Sequence, residues 1–355
     1  MEAKHLSPQT DNQSVLFSSF TQGHLQLTNR VVLPPMCQWE AGDDGYPTAY
    51  HFAHYSSRAV GGVGMQILEA TAVEARGRIS PNDLGIWTDQ QGETLAKLAD
   101  CIKDLGSVPA LQLGHSGNKA RPGTGRAVGP VGEAFSDRYE APEELTAEGI
   151  DQVTEAFAEG ARRASKAGFK ALELHAAHGY LLHQFLSPIM NTRKDQFGGS
   201  TENRLRFPLE VIRRCRERIS DSTTLMIRVS GSEYSERGYQ MDEMIEMGQA
   251  FRDAGVEIIH VSSGGALPVA PPVYPGYQLE LSRQLRQGTG LPTIAVGRLE
   301  TPELAEFALR EGYCDLVAVG RALMRDPNWA VGAALTLGDV PPVSDNLNKL
   351  FMPKT

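Results

Sequence analysis

Three consecutive stretches decide the fold: Pro292-Thr-Ile-Ala-Val-Gly-Arg298, Leu299-Glu-Thr-Pro-Glu-Leu-Ala-Glu-Phe-Ala-Leu-Arg310 and Leu316-Val-Ala-Val-Gly-Arg321. The first and last open on apolar runs that leave no polar face for water. As strands they belong in a parallel sheet covered on both sides. The middle stretch has the amphipathic spacing of a helix, with Thr301 as cap and Pro302 in the first turn. The three together read as a strand–helix–strand unit.

Outward from this unit the same alternation recurs eight times. The strand candidates are Val31–Met36, Met65–Val73, Pro109–Leu113, Ala171–His175, Thr224–Val229, Glu257–Ser262, Pro292–Val296 and Leu316–Val319. The clearest helical patterns are Glu93–Leu105, Ala147–Ala167, Glu202–Ile219, Asp242–Ala254, Pro302–Arg310 and Ala322–Leu335. Eight such units predict an α/β fold of one domain, a (β/α)8 TIM barrel. A doubly wound open sheet would want a glycine-rich turn after its first strand. That place reads Pro34-Pro-Met-Cys-Gln-Trp39, and no GxGxxG follows any early strand.

Composition fits one large domain. The 355 residues are 41% hydrophobic with a formal charge of −9, enough to bury a substantial core. The acidic balance argues against a nucleic-acid partner. Cys37, Cys101, Cys215 and Cys314 are scattered without a CxxC, which disfavours zinc ribbons and iron–sulfur clusters. No apolar run reaches the roughly 18–20 residues of a membrane span. A cytoplasmic protein without membrane attachment is expected. Residues 1–14 are expected to be a disordered tail, 15–338 the barrel and 339–355 a C-terminal tail.

The longest loops, about Gly117–Glu144 and Gly179–Ser200, follow strands three and four, at the end where barrels keep their active sites. The repeated Val-Gly-Arg at Gly297-Arg298 and Gly320-Arg321, each just before a helix, suits a phosphate. Glycine permits close approach and arginine supplies charge-assisted bonds. His175-Ala-Ala-His-Gly-Tyr180 places two imidazoles and a phenol at a strand end. Neutral imidazoles there can donate to a carbonyl or a developing oxyanion, and Tyr180 offers a proton. No third ligand accompanies the two histidines, so a metal is the weaker reading. Gln112 and Arg228 interrupt apolar strands and need partners, because an unpaired buried polar group is costly. A flat heterocycle with amide-like edges would satisfy both. Alternatively, Arg228 forms an internal ion pair with Glu69 or Glu173. Cys37 reads as a small buried hydrophobe, although its place at the rim puts it near any ligand there.

At these residues the chain resembles the Old Yellow Enzyme family of FMN-dependent ene-reductases, most closely its bacterial branch of NADPH dehydrogenases and xenobiotic reductases. The resemblance runs from about Leu16 to Leu335. It rests on NRVVLPPMCQW, EATAVEARGRISPNDLGIW, LQLGHSGNKA, HAAHGYLLHQFLSPIMNTRKDQFGGSTENRLRF and AVGRALMRDP, in that order.

The resemblance implies FMN held noncovalently at the barrel mouth, with NADPH or NADH as hydride donor and small electrophilic alkenes as substrates. By it, Pro35, Met36 and Cys37 line the flavin, and Ala70 and Gln112 meet its ring. Arg228 sits at its N1–O2 edge, and Gly297, Gly320 and Arg321 hold the phosphate. His175 and His178 bind the substrate carbonyl, and Tyr180 delivers the proton. The implied reaction is ping-pong reduction of the activated C=C bond of an α,β-unsaturated carbonyl compound.

Three positions depart from the branch. Trp39 replaces a substrate-contacting tyrosine, which predicts an altered substrate range. Asn118 replaces an arginine, and the ending LNKLFMPKT lacks the arginine or tryptophan that many relatives extend into a neighbouring subunit's site. A homodimer or higher homo-oligomer is still expected. The rivals are a dienoyl-CoA reductase, a barrel lyase or isomerase acting on a phosphorylated substrate, and a flavin-binding protein without turnover. The first would need a cysteine cluster and an extra domain, neither of which this sequence has.

Overall fold

The computed structural model describes residues 14–351. Eight strands close into a parallel barrel: β1 Val31–Leu33, β2 Met65–Ala72, β3 Val108–Gly114, β4 Ala171–Ala176, β5 Thr224–Ser230, β6 Ile258–Ser262, β7 Thr293–Val296 and β8 Leu316–Ala318. Each pairs with its sequence neighbours, and β8 returns to β1. The helices alternate with them: α1 Ala49–Val60, α2 Asp89–Asp104, α3 Ala147–Lys166, α4 Thr201–Arg218, α5 Met241–Asp253, α6 Leu279–Thr289, α7 Pro302–Arg310 and α8 Trp329–Leu337. The expected single-domain (β/α)8 TIM barrel is the observed architecture.

Differences from the sequence reading are local and have causes. β1 stops at Leu33 rather than Met36, since Pro34 and Pro35 have no N–H to give a ladder. α2 starts at Asp89, four residues early, because Thr88 caps it by accepting from the Gln91 N–H while Gln91 reciprocates. The helix expected over Ala322–Leu335 is two pieces, Arg321–Arg325 and Trp329–Leu337, split at Asp326-Pro327. Residues 1–13 and 352–355 of the expected tails lie outside the described residues. Ser14 is buried and donates its N–H to Asp339, and Asp345–Phe351 forms a further short helix.

Alternation along the strands sorts side chains to the two faces. Leu111, Leu113, Leu172, Leu174, Ile227 and Val261 pack outward among the helices in the main core. Facing in, Val32, Met65, Ile67, Ala110, Ala171, Met226, Ile258, Ile294 and Leu316 fill the lower barrel. An antiparallel hairpin, Phe20–Gln22 with Leu25–Leu27, seals that end with Phe20, Leu25 and Leu27. The barrel is closed below, and the polar side chains Gln112, Glu173, His175, Arg228 and His260 lie above this apolar layer, towards its C-terminal mouth.

Candidate active site

Two steps along β4 from Ala171 comes Glu173, and two further comes His175, so both share the inner face. Register sets His175 beside Arg228 of β5, which lies beside His260 of β6. Gln112 of β3 is opposite Glu173. The Glu173 carboxylate accepts from Gln112 Nε2 at 2.7 Å and from His260 Nδ1 at 2.7 Å. Gln112 therefore has an internal partner that the sequence did not reveal. Arg228 is buried, makes no ion pair with Glu69 or Glu173, and its Nε has no hydrogen-bond partner among the described residues. A guanidinium kept in that state is poised for an acceptor.

Above this layer the chain turns sharply. His178 and Gly179 both have left-handed backbones, φ 60° and 73°. The His178 N–H donates to Ser230 Oγ at 3.0 Å, and its Nε2 lies 2.7 Å from Ser262 Oγ. The Gly179 N–H donates to His183 Nδ1 at 2.7 Å, and His183 is backed by Tyr239 and Glu233. Tyr180 then opens the short helix Leu181–Leu186.

The turn gathers three rings. His175 lies 5.2 Å from His178 and 4.9 Å from Tyr180, centre to centre and edge to face. Burial, reinforced by Arg228, holds both imidazoles well below their ordinary pKa. Burial pushes the Tyr180 phenol up. At neutral pH the cluster holds two neutral imidazoles and a protonated phenol. His175 Nδ1 is buried without a partner.

Beside the cluster is a cavity of about 200 Å³ whose wall includes Pro35, Met36, Arg228, Gly297, Gly320 and Arg321. Ala70 borders a second, smaller recess with His175 and Tyr180. Cys37 is half-buried, and burial, with Asp83 and Glu69 nearby, raises its thiol pKa and keeps it protonated. Trp39 stands at the rim, 53% exposed, with φ 57° and the Arg121 guanidinium 5.7 Å from its ring. Asn118 is buried, and its Oδ1 has no partner.

Three features went unread. A bulge in β2 between Leu68 and Thr71 lets Glu69 accept from the Gln38 N–H at 2.8 Å and approach His51 Nε2 at 3.2 Å. It thereby braces the loop after β1 that carries Cys37. Ser262 and Gln278 line the cavity. Lys119, in the stretch LQLGHSGNKA, is buried beside His178. The tripeptide Gly-Asn-Lys alone carries no signal of that contact.

Comparison with known proteins bears on the family and the fold. The family model described as "NADH:flavin oxidoreductase / NADH oxidase family" matches residues 15–338. An NADPH dehydrogenase of Listeria monocytogenes serotype 4b is 44% identical over 327 residues, covering 92% of this chain and 96% of that protein. An NADPH dehydrogenase of Clostridium acetobutylicum is 41% identical over 320 residues, covering 90% and 94%. Among solved structures, morphinone reductase superimposes with a TM-score of 0.79 at 26% identity, covering 96% of this chain and 94% of that one. Among the described residues no helix is long and apolar enough to cross a membrane.

Proposed function

Because the chain belongs to the NADH:flavin oxidoreductase / NADH oxidase family, we propose that it is an FMN-dependent NADPH dehydrogenase acting as an ene-reductase. Its substrates are small α,β-unsaturated carbonyl compounds. The observation that carries this reading is the His175–His178–Tyr180 cluster standing directly beside a buried Arg228 whose Nε has no partner among the described residues.

The residues suit a noncovalent flavin. Arg228 Nε needs an acceptor, as the N1–O2 edge of an isoalloxazine would supply. Glu173 takes the amide nitrogen of Gln112, which leaves the amide oxygen to accept from a ring N–H. Pro35, Met36, Cys37 and Ala70 would pack along the ring. Gly297, Gly320 and Arg321 would hold the phosphate, with glycine permitting close backbone approach. FMN, when bound, supplies the hydride chemistry, taking hydride from NADPH or NADH and giving it to the alkene.

The chain's own groups do the rest. His175 and His178 hold the substrate carbonyl, and as neutral donors they strengthen their bonds as its oxygen gains charge. The Ser262 hydroxyl can give its proton to His178 Nε2, which leaves the ring hydrogen on Nδ1 for the ligand. Tyr180, kept protonated by burial, delivers a proton to the α-carbon. Trp39 bounds the substrate at the rim. We also propose that the enzyme works as a homodimer or higher homo-oligomer.

The test is a visible spectrum of the purified protein, followed by NADPH and then 2-cyclohexenone or N-ethylmaleimide. Two flavin bands should bleach on reduction and return with the alkene. Protein that is colourless and cannot be reconstituted with FMN would end this reading.

A further inference from the structure

Lys119 lies where three loops of the mouth meet. Its Nζ donates to the His178 carbonyl at 2.7 Å and to the Gly265 carbonyl at 2.8 Å. The Phe135 ring centre is 3.8 Å from the ammonium and the Tyr180 ring centre 5.8 Å. Lys119 is 9% exposed and has no carboxylate partner among the described residues. The loops after β4 and β6 cross here in close contact. A side chain on Gly265 would collide with the His178 backbone, and one on Gly179 would collide with the Gly265 carbonyl and come 2.7 Å from Lys119 Nζ.

His178 is the strained point of the crossing, since a non-glycine residue at φ 60° is uncommon. Such backbones persist only where the surroundings over-determine them. Ser230 holds the His178 N–H, Lys119 its carbonyl, and His183 the next N–H. We propose that Lys119 is a positioning residue: its ammonium clamps the two crossing loops together and so holds His178 in the turn that aims its imidazole. This deepens the proposed function, since it concerns how a substrate-binding histidine is kept in place.

Ion–dipole bonds to two carbonyls are stronger than the neutral ones a free amine would make. The clamp therefore weakens when Lys119 loses its proton, and burial brings that loss down to about pH 8. The titratable and charged groups facing the crossing are His175, His178, Tyr180, His183 and Arg228. His175 and His178 on the β4 side lie well below neutrality, and Tyr180 lies well above. Arg228 on β5 stays charged, and the β6 loop presents a carbonyl. From the β3 loop the facing group is Phe135.

The test compares the holoenzyme with Lys119→Met and Lys119→Gln by two readouts. The first is backbone hydrogen exchange at residues 177–181, corrected for intrinsic rates. Lys119→Met should exchange about tenfold faster or more, while Lys119→Gln, whose two N–H donors are neutral, should fall between Lys119→Met and wild type at pH 7. The second is the pH profile for 2-cyclohexenone. Wild type should show KM rising above pH 8 with kcat little changed, and Lys119→Gln should lack that limb. Unchanged exchange in Lys119→Met, or a limb that persists in Lys119→Gln, would overturn the clamp. If wild type does not reduce the enone, the functional reading falls, while exchange still decides the clamp.

Discussion

Glu173 on β4 and His260 on β6 share a 2.7 Å hydrogen bond that spans the intervening strand β5 inside the barrel. With Gln112 on its other oxygen, one carboxylate ties β3, β4 and β6 together beneath the mouth. Glu173→Leu strands two buried partners at once. Chemical denaturation should show a loss of about 2–5 kcal/mol. Glu173→Gln, which keeps one acceptor, should lose less than half of that.

Arg228 should behave in the opposite sense. It forms no ion pair among the described residues, and burial is the largest influence on its charge, so the apoprotein bears the cost of burying it. Arg228→Met is expected to stabilise the apoprotein by about 1–3 kcal/mol while weakening FMN binding at least tenfold. Thermal melts with and without FMN, together with a flavin titration, separate the two effects.

Tyr180→Phe keeps the ring against His175 and removes only the hydroxyl that carries the proton. In stopped-flow work, flavin reduction by NADPH should stay within about threefold of wild type, while reoxidation by 2-cyclohexenone slows by about 10²–10⁴-fold. Equal slowing of both halves would take Tyr180 out of the proton-delivery role.

His175→Ala combined with His178→Ala should retain the flavin spectrum and lose enone turnover by about 10³-fold or more, as removal of oxyanion donors does. Retained turnover would exclude both imidazoles from carbonyl binding.

Acid stability has a specific contributor. Burial pushes the Glu74 carboxyl up, but the His115 ring at 2.8 Å and the Arg76 guanidinium at 2.6 Å outweigh it and hold the pKa at about 2. A folded-state value below the unfolded one means the stabilisation is full above about pH 4.5. It is lost as pH falls through about 2. Glu74→Gln should remove about 3 kcal/mol at pH 6 and much less near pH 2, measured by urea unfolding at each pH.

The barrel was legible because its strands are apolar on both faces, a pattern that few other positions in a chain can tolerate. α1 escaped the reading because its buried face is His51, His54, Tyr55 and Arg58, which makes no apolar stripe. α6 buries Ser282 and Thr289 beside Leu279 and Leu285 and is equally muted. In the site, His175, His178, Tyr180 and Arg228 stood out as polar groups in the wrong company. Their supports did not. Glu69 reaches Gln38 through a bulge, Glu173 reaches His260 past a strand, and Lys119 reaches His178 across two loops. Each depends on through-space register that no local spacing encodes.

Ser14 reaches Asp339, and Leu16 reaches Glu306, on the side of the barrel sealed by the Phe20–Leu27 hairpin. Ser14, where the described residues begin, and Asp339, just past α8, are therefore neighbours on the face away from the chemistry. A support that grips the protein by that face leaves the opening unobstructed, so enzyme held that way should admit reactants as freely as it does in solution.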